Sequence, residues 1–221
     1  DLNIPLSKNV RLILGTDEEC GSSDIEHYYK LEKEAPMTFS PDAEFPLINI
    51  EKGQLAAEFT SEYVEDRALP RIISINGGVK ANVVPDKATA VVEGFDLEIV
   101  KELCKKEEEK TNVKFTVSED DSLITINAKG KGAHASTPEN GDNAITAIIE
   151  LLCSMPCAKS EGFDRLCSVN KLFPHNDFIG KGCGIVMSDE LSGSLSIAFT
   201  IFEYNLTSLK AVSYTHLTLP T

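Results

Sequence analysis

From Leu55 to Leu152 the spacing of apolar residues switches between the two-residue repeat of a strand and the helical repeat. This rhythm constrains the fold more than anything else in the chain. Residues 55–63 alternate loosely and read as a strand. Residues 71–75 form another, turned by Gly77-Gly78, and residues 81–85 and 88–94 continue the series. Asp96 stands where a helix cap belongs, and Leu97, Val100, Leu103 and Cys104 fall on one helical face. The charge run 105–110 reads as that helix's solvated side. Residues 113–117 and 123–128 form a hairpin. Asn140 or Asp142 then opens a second helix through Ala144, Ile148, Leu151 and Leu152, stopped by Pro156. Strands, helix, strands, helix predicts an antiparallel sheet with helices on one face, as in a ferredoxin-like module.

The flanks read differently. Leu12-Ile13-Leu14 is an apolar run that reads as a buried strand, ending at Gly15 and emptying into Asp17, Glu18 and Glu19. Acids just past a strand's carboxyl end are where open α/β sheets put their sites. Ser22 or Ser23 can cap a helix running to about Ala35, where Pro36 stops it. A second acidic cluster, Phe39-Ser40-Pro41-Asp42-Ala43-Glu44-Phe45-Pro46, leads into a strand over 47–50. Residues 157–182 are irregular and turn-rich, and 184–187 and 195–202 read as strands of a further unit. The last stretch, from Ser213 to Thr221, breaks the pattern. It resembles translated adapter sequence and is set aside from fold reasoning, His216 with it.

Composition narrows the function classes. The 221 residues are 42% hydrophobic and 25% charged, as in a soluble globular protein. A net charge of −14 argues against nucleic acid and anionic membrane as partners. No apolar run approaches the roughly 18 residues of a transmembrane helix. The first residues form no signal peptide and include no Met, so the chain is expected to begin inside a longer protein. Its six cysteines fit neither a disulfide framework nor paired zinc knuckles. Cys153 and Cys157, four apart on a helix, read as half-buried small residues rather than a metal pair. A reducing cytoplasm is the compartment this usage predicts.

By residue type alone, each candidate site residue has two readings. Glu18 and Glu19 are adjacent, so their carboxylates can diverge, one binding a metal and the other acting on a bound water. Equally, Asp-Glu-Glu can be a solvated loop. Asp42, between Pro41 and Ala43, can be a metal ligand or can close a turn. His134, within Gly130-Lys131-Gly132-Ala133-His134-Ala135-Ser136, sits among small residues where it could reach a ligand. Gly130 and Gly132 could instead make a bulge. Asn82 reads as a turn or strand-edge residue as readily as a contact.

Taken together and in this order, Gly15-Thr16-Asp17-Glu18-Glu19, the Ser-Pro-Asp-Ala-Glu-Phe-Pro string at 40–46, the Gly-Gly…Asn-Val-Val-Pro stretch at 77–85 and Gly-Lys-Gly-Ala-His-Ala-Ser at 130–136 resemble the PepV-like dipeptidases. That group lies within the co-catalytic zinc peptidases, alongside carnosinases, aminoacylases and succinyl-diaminopimelate desuccinylase. The resemblance implies an α/β (α+β) protein. A partial catalytic domain over 1–51 would precede a lid over 52–212, with a ferredoxin-like unit at about 54–156 and the start of a second unit at about 183–212. It implies Glu18 as the general base, Glu19 and Asp42 as ligands of the two Zn2+ ions (Mn2+ or Co2+ being alternatives), and Asn82 and His134 as substrate contacts that stabilise the oxyanion. It also implies a dipeptide substrate and a monomer, because the enlarged lid stands in for a dimer partner.

The family pattern also needs an upstream His-x-Asp, a late His and a lid Arg, and none of these has a match here. The chain is therefore expected to be an internal fragment with an incomplete metal site, inactive by itself. Two other readings stand beside the dipeptidase: an N-acyl amino acid deacylase or desuccinylase of the same family, and a non-catalytic member. Three mutually repelling acids kept together weigh against the last.

Overall fold

In a computed structural model of the chain, residues 5–18, 21–41, 48 and 50–217 are described. The chain divides into two compact units, 1–48 and 49–221.

The first unit contains helix α1 (Ser23–Leu31). Its first turn is acidic, at Asp24 and Glu26, and its last turn carries Lys30, the charge order a helix dipole favours. No residue of α1 is buried, and the helix ends at Leu31 rather than near Ala35. With no packed face to hold another turn, the backbone turns extended at Glu32, well before Pro36. The expected strand at Leu12-Ile13-Leu14 is absent. Leu12 and Leu14 are about four-fifths exposed, and a strand exists only by pairing, which no described neighbour offers. Of the strand expected over 47–50, Leu47 and Asn49 lie outside the described residues. Ile48 and Ile50 are exposed and unpaired in any described strand.

The second unit holds β1 (Gly53–Glu62), β2 (Arg71–Gly77), β3 (Val83–Val84), β4 (Lys87–Glu93), α2 (Leu97–Thr111), β5 (Lys114–Asp120), β6 (Leu123–Lys129) and β7 (Ala133–His134). After these come α3 (Ala144–Ser154), α4 (Glu161–Leu172), β8 (Ser188–Asp189), β9 (Gly193–Ser194), β10 (Ser196–Tyr204) and β11 (Ser208–Leu217). Seven strands form one antiparallel sheet in the order β1-β11-β10-β2-β4-β6-β5. Alternate residues of β4 and β6 are buried, which marks one face as the core side. Helix α3 packs against β2, β4, β6 and β10, with α2 and α4 beside it. Ile145, Ile148, Leu151 and Leu152 of α3 are fully buried against Ile75, Ala90, Ile124 and Ile126 of the sheet. The β4-α2-β5-β6-α3 run is the ferredoxin-like module that the apolar rhythm predicts.

Several details depart from the sequence reading. Residues 195–202 do not start a separate unit: β10 pairs with β2, Glu203 opposite Asn76, and so completes the same sheet. Residues 184–187 are not a strand, because the backbone there folds on itself through Gly184 N–H to Lys181 O and Ile185 N–H to Gly180 O. Helix α4 lies in the stretch read as irregular. Its cap, Ser160, accepts from Phe163 N–H. Gly162, a nominal breaker, lets the helix approach the tyrosines, since a Cβ there would stand 2.7 Å from the Tyr63 ring. Glu107, in the supposedly solvated run, is 2% exposed. It pairs with Lys110 at 3.1 Å, while its Oε1 has no described partner. Glu108 accepts the Phe115 N–H at 2.7 Å, which holds its carboxyl below the usual range and ties α2 to β5. The α3 cap is Asn143, not Asn140 or Asp142. Lastly, Ser213 to Leu217 do not break the pattern but complete β11, with Ser213 opposite Ala57.

Candidate functional site

The acidic loop of the first unit is a braced turn. Ser22 takes the cap position of α1 in a left-handed conformation, yet its side chain makes no capping bond. Asp17 replaces it: its carboxylate accepts both the N–H (2.9 Å) and the hydroxyl of Ser23. Asp24 reaches back to accept Thr16 N–H at 2.6 Å, and that bond is the main reason its pKa lies below the ordinary value. Gly15 sits so close that a Cβ would come within 2.9 Å of Asp24 Oδ2. Arg11 donates to Tyr28 Oη at 2.9 Å and so lays the incoming chain along α1. Glu18 stands exposed in this frame with its carbonyl accepting Gly21 N–H. Asp17, which sequence reasoning left without a role, is thus the residue that shapes the turn. Its signal was its place six residues before Ser23, within reach of the first free helix N–H groups.

Asn82 and His134 are far apart in sequence and adjacent in the fold. The shortened strand β3 leaves the main sheet and pairs with β7, Val83 opposite His134 and Val84 opposite Ala133. Ala135 N–H donates to the Asn82 carbonyl at 2.8 Å, extending the ribbon by one step. Pro85 ends β3, and its carbonyl accepts the Ala144 N–H at the start of α3. Gly130 makes the crossing possible. A Cβ at Gly130 would lie 1.9 Å from Asp142 O, so only a residue without one lets β6 hand over to the His134 loop. The bulge reading of this glycine gives way to a close backbone approach.

The His134 ring is exposed and held from one side. Its Nδ1 lies 2.7 Å from Ser136 Oγ and accepts the Ser136 N–H at 3.2 Å. Beneath it, Ala135 is fully buried with Val84 and Ala198. The His216 ring centroid is 6.4 Å from that of His134. A second histidine, His175, plays a different part. Its Nε2–H donates to Thr111 O at 3.3 Å and its Nδ1 faces Thr146 Oγ1 at 2.9 Å, so it fastens α2 to α3. Burial lowers its pKa.

Two expected metal ligands, Glu19 and Asp42, lie outside the described residues. Among the described residues no three His, Cys, Asp or Glu side chains gather so as to hold a metal ion. The described donors alone therefore do not make a two-metal centre. The structure brings Asn82 and His134 together within the second unit, while Glu18 belongs to the first. Among the described residues, no helix is long and apolar enough to cross a membrane.

Residues 123–201 match the family of the peptidase dimerisation domain of M20 enzymes. This description weighs against the expected monomer. The chain is 34% identical over 206 residues to the Bacillus subtilis (strain 168) protein named Putative dipeptidase YtjP, covering 92% of this chain and 44% of that protein. It is 31% identical over 200 residues to Beta-Ala-Xaa dipeptidase of Lactobacillus delbrueckii subsp. lactis, covering 89% of this chain and 42% of that protein. The chain thus spans less than half the length of these curated relatives. Residues 123–201 thus carry the M20 peptidase dimerisation domain, and along most of its length the chain is similar to proteins named as dipeptidases.

Proposed function

We propose that the protein carrying this sequence is a metal-dependent dipeptidase. In this reading the second unit is its lid, and residues 1–51 contribute part of the catalytic domain. Glu18 takes the proton of the attacking water, and Glu19 and Asp42 are ligands of two divalent ions, zinc first among them. A bound metal supplies positive charge that acidifies water and polarises the scissile carbonyl. His134 donates a hydrogen bond to the oxygen that becomes negative when the carbonyl turns tetrahedral, and Asn82 orients the substrate beside it.

The observation that carries this reading is the β3–β7 ribbon, which sets Asn82 next to the strand pair that carries an exposed imidazole held by Ser136. The dipeptidase relatives support the substrate class, a β-alanyl dipeptide included. The alternative within the family is an N-acyl amino acid deacylase. The test is turnover by the whole protein on α- and β-alanyl dipeptides and on N-acetyl amino acids, with and without chelator. Dipeptide hydrolysis abolished by chelation is expected, with kcat lower by about 10²–10³-fold in His134→Gln. The isolated 221-residue chain, with its partial donor set, is expected to be inactive. Preference for N-acetyl amino acids, or full activity in His134→Gln, would sink the proposal.

A further inference from the structure

Two donors converge on one nitrogen of His134. The backbone N–H of Ser136 points at Nδ1 from 3.2 Å, and the Ser136 hydroxyl stands 2.7 Å from the same atom. A nitrogen that accepts an N–H bond must present its lone pair. The neutral ring therefore carries its proton on Nε2, at the opposite edge. The hydroxyl, free to rotate, serves the same nitrogen as a second donor.

The segment that holds these donors is itself fixed. Ser196 Oγ donates to the Ser136 carbonyl at 3.0 Å, Thr137 N–H donates to His134 O at 3.1 Å, and Ala135 is fully buried. Ser136 cannot drift away from the ring without breaking the first of these bonds and unpacking Ala135. We propose that Ser136 is a positioning residue that locks His134 in the Nε2–H tautomer and sets the plane of its ring. Resting on the dipeptidase reading above, this makes His134 a ready donor at Nε2 before substrate arrives. With Nδ1–H instead, the free edge of the ring would present a lone pair to a developing negative charge, which repels rather than stabilises it.

The tautomer is read directly on the 221-residue chain by nitrogen-15 NMR of the histidine rings, with His134 assigned through His134→Gln. The wild type is expected to show the proton on Nε2 of the neutral His134 ring. Ser136→Ala keeps the backbone donor and loses the hydroxyl, so the ratio of Nε2–H to Nδ1–H should fall about fivefold. Ser136→Thr, which keeps a hydroxyl, should restore it. In the whole protein Ser136→Ala should lower kcat about fivefold and leave KM little changed. A wild-type ring carrying Nδ1–H overturns the proposal. So does a Ser136→Ala variant, folded by its amide spectrum, whose tautomer ratio equals that of the wild type. If the tautomer responds to Ser136 but the whole protein hydrolyses no dipeptide, the positioning role stands and the dipeptidase reading falls. If His134→Gln abolishes turnover while Ser136→Ala changes neither tautomer nor kcat, the reverse holds.

Discussion

Gly130 and His175 show how single residues serve this fold without touching chemistry. The 1.9 Å approach of a notional Gly130 Cβ to a backbone oxygen leaves no flexible neighbour to yield. Gly130→Ala should cost about 1–3 kcal/mol in chemical denaturation and disturb the His134 amide signal, since β7 follows directly. His175 makes a pH statement. Burial holds its folded pKa below the ordinary 6.5, so the folded state keeps it neutral while the unfolded chain protonates. Its contribution is complete above about pH 6.5 and is lost as pH falls from there towards the folded pKa. Stability measured at pH 7.5 and 5.5 should therefore differ less in His175→Gln than in wild type. An equal difference would count against a buried neutral imidazole. In the sequence Gly130 reads only as a possible bulge, and His175 lies in a stretch that reads as irregular. Their meaning lies in what stands opposite them, Asp142 in one case and Thr111 with Thr146 in the other.

At the scale of elements, α3 is the keystone. Its N-cap, Asn143, accepts from Ile145 and Thr146 N–H and donates its amide to Phe199 O at 2.7 Å, joining helix start to β10. Asn143→Ala removes both functions and should destabilise the protein by about 1–3 kcal/mol. Leu151→Ala, in the fully buried face, should cost about 2–5 kcal/mol, against less than about 0.5 for Ile99→Ala on the exposed side of α2. Equal midpoints for the two would contradict the packing described here. The alternation of β4 and β6 and the faces of α2 and α3 were legible because burial imposes periodicity on sequence. Helix α4 was missed because Gly162 resembles a breaker, although Ser160 with Phe163, Leu166 and Val169 carries a readable cap and face. The β3–β7 ribbon was invisible, because two-residue strands leave no periodicity at all.

For the molecule as a whole, the division at residues 48 and 49 makes a direct prediction. Residues 49–221 contain the entire seven-stranded sheet and its three helices, so this segment alone should unfold in one cooperative thermal transition with a dispersed amide spectrum. A non-cooperative transition would mean that the lid depends on the preceding residues. The charge of −14 is a property of the same scale, bearing on partners rather than on fold.

The sequence by itself determined the βα rhythm of the antiparallel module, the cap at Asp96 and, through its motifs, the family resemblance. These are local or periodic properties that survive being read one residue at a time. Tertiary structure alone decided that β10 completes the lid sheet, that Glu107 is buried, and that Asn82 and His134 stand on one ribbon with Ser136 fixing the imidazole. Each of these is a pairing between residues far apart in the chain, and such a pairing leaves no trace in the sequence near either partner.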